Sequence, residues 1–287
     1  MSELVYSYYP GCSLHSSAKE YDISTRLVCQ ALGIELRELE EWICCGASSA
    51  HTASDLLGLA LPAYNLKLAE KADLPVVIPC AMCFSRLKFA IAGLKDDATR
   101  NQINMVLEEG LAKEVPVESL LKVLDGKSIT IPVKKPLTGL KVACYYGCLL
   151  VRPMEVANLD DVENPRMMDE LVEMLGAESI DWDFKTECCG AGLPLARPDM
   201  VLQLSNQILS QAKSYGADCV AVACPMCHSN LDMQQKRMKS EDGEHLDLPI
   251  LYFTQLIGLA LGISAKELAL KKHFINPVPM LKDKGLL

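Results

Sequence analysis

The chain has 287 residues, of which 50% are hydrophobic and 23% charged, and it carries a formal net charge of −9. That is apolar material for one large or two medium cores in an ordinary globular protein. The acidic balance, with no dense Lys/Arg stripe interleaved with aromatics, argues against a nucleic-acid binder.

Leu4 to Tyr9 is a short apolar run stopping at Pro10-Gly11, which predicts a buried strand and a turn. Ser16 to Leu32 has helical spacing and ends at Gly33, a C-terminal stop. Ile34 to Leu39 reads as a second strand, and Cys44-Cys45-Gly46 as a loop. Ser54 to Lys71 is helical, Pro75 to Ile78 is an apolar strand, and a helix follows Cys83. The segment from Asp96 begins as a helix and runs into Ile131-Pro132-Val133-Lys134-Lys135-Pro136. Then Lys141 to Tyr146 reads as a strand, Asn164 to Leu175 and Asp199 to Tyr215 as helices, Val220 to Ala223 as a strand, and a helix follows Cys227. The apolar run from Leu251 to Ile263 carries Thr254 and Gln255 and falls short of the roughly 20 residues a spanning helix needs. The tail through Asn276-Pro277-Val278-Pro279 reads as irregular, an arm for docking on a partner. No leader is visible behind Met1-Ser2-Glu3, so a cytoplasmic protein without a membrane span is the expectation.

The 13 cysteines are the dominant signal. In a reducing compartment, patterned cysteine points to metal binding or redox chemistry rather than to disulfides. Cys29 and Cys219 fit small core residues, and Cys144, four residues before Cys148, reads either as core or as a neighbour of a site. The other ten repeat. Cys12, Cys44-Cys45 and Cys80-Ala81-Met82-Cys83 are followed by Cys148, Cys188-Cys189 and Cys224-Pro225-Met226-Cys227. The pair and the next Cys-x-x-Cys are separated by 34 residues both times, and 31 and 39 residues precede the two pairs. Neighbours repeat too: Cys44-Cys45-Gly46-Ala47 with Cys188-Cys189-Gly190-Ala191, and Tyr8-Tyr9-Pro10-Gly11-Cys12 with Tyr145-Tyr146-Gly147-Cys148. The chain is an internal duplication.

Alternating strands and helices predict an α/β fold of two pseudo-symmetric cysteine-rich repeats, each a small parallel sheet flanked by helices. The expected boundaries are residues 1–130 for the first repeat with its helical extension, 131–139 for a linker, and 140–287 for the second repeat and tail. Cys12, Cys80 and their counterparts then fall just past strand ends, where open α/β sheets build their sites.

Five thiols per half are one more than structural zinc or a cubane cluster uses. A distorted multi-iron cluster with a bridging thiolate would use all five. Zinc in one half with a [4Fe-4S] cluster in the other is the alternative. A thioredoxin-type Cys-x-x-Cys leaves the Cys-Cys pairs, Cys12 and Cys148 without a role.

At these residues the sequence resembles the cysteine-rich CCG family and, over almost its full length, the B-type subunit of heterodisulfide reductase. Tyr145 to Pro153, Asp161 to Pro165 and Glu187 to Gly192 are similar to signatures of that family. The resemblance implies two non-cubane [4Fe-4S] clusters, held by Cys12, Cys44, Cys45, Cys80 and Cys83 and by Cys148, Cys188, Cys189, Cys224 and Cys227. It further implies reductive cleavage of a disulfide (CoM-S-S-CoB or a protein disulfide) between them. Electrons would come from an iron–sulfur subunit of the C type, with a flavin subunit of the A type upstream. Where the methanogen form carries histidines beside its second-repeat cysteine, this chain has Tyr145 and Leu149. A non-catalytic electron relay or scaffold is the rival reading, since CCG domains also serve other redox complexes. His15, His51 and His228 are proton-donor candidates, and Arg86 and Arg152 candidates for holding an anionic substrate, by nearness in sequence to the cysteines.

Overall fold

A computed structural model describes residues 4–47, 49–108, 110–127, 129–238, 243 and 245–287. The first half runs β1 (Leu4–Tyr8), α1 (Gly11–His15), α2 (Lys19–Ala31), β2 (Ile34–Glu38), α3 (Ala50–Ala53), α4 (Asp55–Ala72), β3 (Val76–Ile78) and α5 (Ala81–Gly93). It continues with α6 (Asp97–Val106), β4 (Val117–Ser119) and α7 (Leu120–Val123). The second half runs β5 (Lys141–Tyr145), α8 (Met154–Ala157), α9 (Met167–Met174), β6 (Glu178–Ser179), α10 (Pro198–Ser214), β7 (Cys219–Val222) and α11 (Pro225–Met233). It closes with β8 (Ile250–Tyr252), α12 (Phe253–Ala260) and α13 (Val278–Asp283).

Each half builds one four-stranded sheet, ordered β2-β1-β3-β4 and β6-β5-β7-β8, with every pairing parallel. The inner strands β3 and β7 are buried along their whole length, as a sheet covered by helices on both faces requires. In both sheets the strand order reverses between the first strand and its inner neighbour. That crevice lies beyond the carboxyl ends of β1 and β3, and of β5 and β7, where such sheets bind ligands.

Several expectations change. The helices after the Cys-x-x-Cys units start at Ala81 and Pro225, earlier than expected, so Cys80 and Cys224 are the N-caps and Cys83 and Cys227 lie in the first turn. Short strands β4 and β8 complete the sheets; three residues each is too little for an alternation pattern to declare itself. The tail is not a free arm. It folds onto its own chain, with Leu281 and Leu286 buried and Lys284 Nζ 2.6 Å from Asp218.

The halves pack through α2 on α12 and α5 on α8. Tyr21 stacks flat on Tyr252, centroids 4.1 Å apart, and Ser24 Oγ lies 2.7 Å from Thr254 Oγ1. An aromatic pair of this kind adds about 0.5–1.5 kcal/mol beyond its burial.

One buried ion pair supports the second site. Lys185 Nζ, on a residue 1% exposed, lies 3.0 Å from fully buried Asp169, which also accepts from the Tyr146 hydroxyl at 2.6 Å. The Lys185 carbonyl accepts from Tyr146 N and Gly147 N, tying the loop before Cys188 to the turn before Cys148. Lys185→Met leaves that carboxylate without its cation, and the expected loss is about 3–5 kcal/mol in urea denaturation. A loss below about 1 kcal/mol, the range of a solvated pair, would show that the carboxylate is not isolated by burial.

Candidate metal centre

All ten repeated cysteines gather at the carboxyl edges of the two sheets. In the first half Cys12 follows β1, Cys80 and Cys83 open α5, and Cys44-Cys45 arrive on the loop after β2. Sγ of Cys12 and Cys44 are 3.8 Å apart, and those of Cys45 and Cys83 are 3.2 Å apart. Cys44 also contacts Cys45, and Cys83 contacts Cys80. In the second half Cys189 and Cys227 are 3.6 Å apart, Cys148 contacts Cys188, and Cys224 contacts Cys227. The two sets meet where the thiols of Cys80 and Cys224 are near enough to shift each other's ionisation. Cys12, Cys44 and Cys188 are exposed and Cys148 is half-buried, while the other six are buried. Each set therefore has a deep end at the junction and a shallow end at the surface.

The backbone is shaped around these sulfurs. Gly11 and Gly147 have φ of +72° and +66°, and a Cβ there would stand 2.9 Å from Cys83 Sγ and 3.1 Å from Cys227 Sγ. Gly46 N and Gly190 N lie 3.4 and 3.3 Å from Cys44 Sγ and Cys188 Sγ and donate to them. Contact with Cys12 first, then with Cys45, pushes Cys44 down toward thiolate. Contact with Cys148 lowers Cys188 to about 6, and contacts with Cys227 and Cys80 lower Cys224. Their partners Cys12, Cys148 and Cys80 are pushed up in return. Thiolate is the ligating form, and Cys44, Cys188 and Cys224 are the thiols that their neighbours favour in it.

The dipeptide match of Tyr8-Tyr9 with Tyr145-Tyr146 hides a structurally equivalent pair of tyrosines. Tyr9 OH donates to Ile43 O at 2.8 Å and Tyr145 OH to Glu187 O at 2.6 Å, in each case the residue just before the Cys-Cys pair. Both tyrosines stand three residues before the lone cysteine. The structural equivalence is thus Tyr9 with Tyr145, and Tyr146 stands where Pro10 does, one step from the expected Tyr-Tyr match. Counting back from the cysteine, rather than matching dipeptides, finds it. Asn65 in the first half and Asn230 in the second brace the same loops, donating to Ile43 O and Cys189 O at 3.0 Å each.

The five basic candidates separate. His228 is buried and faces the core: its Nε2 is 3.1 Å from Ile250 O and 2.7 Å from His273 Nδ1, and burial drives its pKa well down. His15 pairs with Glu38 at 2.9 Å, and exposed His51 lies on α3. Arg152 is engaged by Glu163 and Thr186. Arg86 differs. Its Nε is buried with no hydrogen-bond partner, and burial lowers its pKa, with Cys45 opposing that shift. Cys144, Cys29 and Cys219 are core residues; Cys144 packs against Ser179 Oγ at 3.7 Å.

This donor set fits an iron–sulfur group. Among the described residues no three cysteine sulfurs lie within 4.8 Å of one another. A single zinc bound by four thiolates at about 2.3 Å has tetrahedron edges of roughly 3.8 Å throughout. These sulfurs instead form an extended string, suited to a body several atoms across. The unpartnered buried Nε of Arg86 is a donor that a negatively charged group near the first set could engage.

The family model for the cysteine-rich CCG domain matches residues 6–88 and 142–232, both halves of the duplication. The chain belongs to the cysteine-rich CCG family. It is 36% identical to the 8-methylmenaquinol:fumarate reductase membrane anchor subunit of Wolinella succinogenes, over 94% of this chain and 97% of that protein. It is 31% identical to the B-type subunit of the ferredoxin/F420H2-dependent CoB-CoM heterodisulfide reductase of Methanosarcina acetivorans, over 96% of this chain and 95% of that one. Among solved structures, a hypothetical protein from Helicobacter pylori matches with a TM-score of 0.76 at 14% identity, over 96% of this chain and 52% of that one, which supports the fold. As a homologue of the heterodisulfide reductase B-type subunits, this CCG protein is an iron–sulfur oxidoreductase subunit of that type. No described helix is long and apolar enough to cross a membrane.

Proposed function

We propose that the chain is the disulfide-cleaving subunit of a heterodisulfide reductase-type complex, with one non-cubane [4Fe-4S] cluster held by each five-cysteine set. Cys12, Cys44, Cys45, Cys80 and Cys83 would hold the first, and Cys148, Cys188, Cys189, Cys224 and Cys227 the second. The observation that carries this reading is that Cys80 and Cys224, one from each set, are near enough to shift each other's ionisation, which brings the two groups of thiols together. A relay needs its centres near a partner; a disulfide split in two needs a separate acceptor for each sulfur, close together.

When bound, the clusters would supply those two acceptors and pass on electrons from a partner subunit. The balance is one disulfide, two electrons and two protons giving two thiols. The chain's own residues do the rest. Gly11 and Gly147 keep the backbone off the cysteine sulfurs, and Tyr9 and Tyr145 hold the Cys-Cys loops. His228, buried and bonded in the core, has no side chain free for proton delivery.

The relay or scaffold reading draws on the Wolinella relative, named as the anchor subunit of a fumarate reductase. The experiment is anaerobic purification with the native neighbouring subunits, an iron, sulfide and zinc count, and assay of disulfides including CoM-S-S-CoB. About eight iron and eight sulfide per chain with disulfide turnover is expected. About four iron with one zinc would overturn the paired clusters. A full iron count with no turnover of any disulfide would leave the relay.

A further inference from the structure

Between α12 and the folded-back tail lies a cavity of about 760 Å³ that none of the cysteines lines. Leu259, Ile263, Val278 and Leu286 supply an apolar lining. Around it stand Lys135, Lys266, Lys271, Lys272 and Lys282; no Asp or Glu lines it, and the one carboxylate in the lining is that of Leu287, the last residue of the sequence. On a chain of net charge −9 this is a local reversal of sign. Among the described residues none of these five lysines forms an ion pair. The nearby acids are otherwise engaged: Glu267 is turned onto the Ser264 hydroxyl at 2.6 Å, and Glu20, which feels Lys272, is buried and does not line the cavity.

Unpaired ammonium groups around a dry lining define the complementary ligand: an anionic head on an aliphatic body. The volume is in the range of about 300–1,000 Å³ typical of small-molecule sites. Lysine stems lie along apolar surface while their heads reach outward, so one ligand can meet both. We propose that this cavity is a binding site for a single-chain aliphatic anion, a medium-chain carboxylate or phosphate monoester. The site is independent of the cysteine chemistry.

The test uses the full, iron-loaded chain, titrated calorimetrically with decyl phosphate and decanoate below their micellar concentrations. Decyltrimethylammonium and decanol serve as the cationic and neutral comparisons. Saturable binding of one anion per chain is expected, with the cation at least about tenfold weaker. Lengthening the chain by two methylenes should tighten it by about tenfold. Lys266→Glu with Lys271→Glu should weaken the anions about tenfold and leave decanol unchanged. Ala265→Trp, which fills the cavity, should abolish both at unchanged iron content; if it does not fold, the lysine pair decides. No saturation, equal binding of cation and anion, or indifference to the lysine change would overturn the proposal. So would binding to phosphatidylglycerol vesicles without binding of the monomeric anions, which would assign the face to a bilayer.

Discussion

Replacing Cys45 with alanine is expected to remove about four of roughly eight iron atoms per chain, those of the first half. Cys45 is the middle of its string: it contacts Cys44 on one side and lies 3.2 Å from Cys83 on the other. Its loss leaves a gap that neither neighbour can span, because Cys44 sits on a loop pinned through Ile43 and Cys83 on a helix turn. Cys189→Ala should do the same in the second half, where Cys189 is 3.6 Å from Cys227. Disulfide turnover should fall by at least about 100-fold in either variant, since even changes to outer-shell groups cost about 10–100-fold at metal centres. Cys29→Ala is the comparison: equally buried, outside both cysteine sets, and pushed up to about 12 by burial, it should keep all its iron. Full iron and normal turnover in Cys45→Ala would remove that position from the ligand set.

Gly11→Ala and Gly147→Ala should separate backbone strain from site geometry. Adopting a positive φ costs a non-glycine residue about 1–2 kcal/mol. Gly33, with φ +72° and open space around its Cβ position, measures that cost alone. At Gly11 the new Cβ also stands 2.9 Å from Cys83 Sγ. A free thiol could rotate away from it; a thiolate bound to iron cannot. Gly33→Ala should therefore lower the melting temperature at full iron content, whereas Gly11→Ala should lower it similarly and also lose iron from its half. Equal iron in the two variants would show that Cys83 is not bound in the native protein.

The strands and long helices were legible because apolar runs and helical spacing are local patterns. The edges of those elements were not. Cys80 and Cys224 are N-caps without a side-chain hydrogen bond to the first turn; α5 then begins at Ala81 with no start signal, whereas Pro225 at the first position of α11 was a legible one. The tail looks irregular in sequence because prolines interrupt it, yet Pro277 precedes α13 and burial of Leu281 and Leu286 holds that helix down. His228 illustrates the limit of nearness in sequence. It follows Cys227 directly, but the helix turns it away from the sulfurs and into a hydrogen bond with His273, 45 residues on.

Read by itself, the order of residues determined the duplication, the two sets of five thiols and the parallel α/β layout, since each of these is written in spacing and residue type. Only the tertiary structure decided that Cys80 comes near Cys224, that Arg86 buries an Nε without a hydrogen-bond partner, and that five lysines surround one apolar hollow. Those facts join segments far apart along the chain. They depend on how whole helices and sheets settle against each other, and no local pattern carries that information.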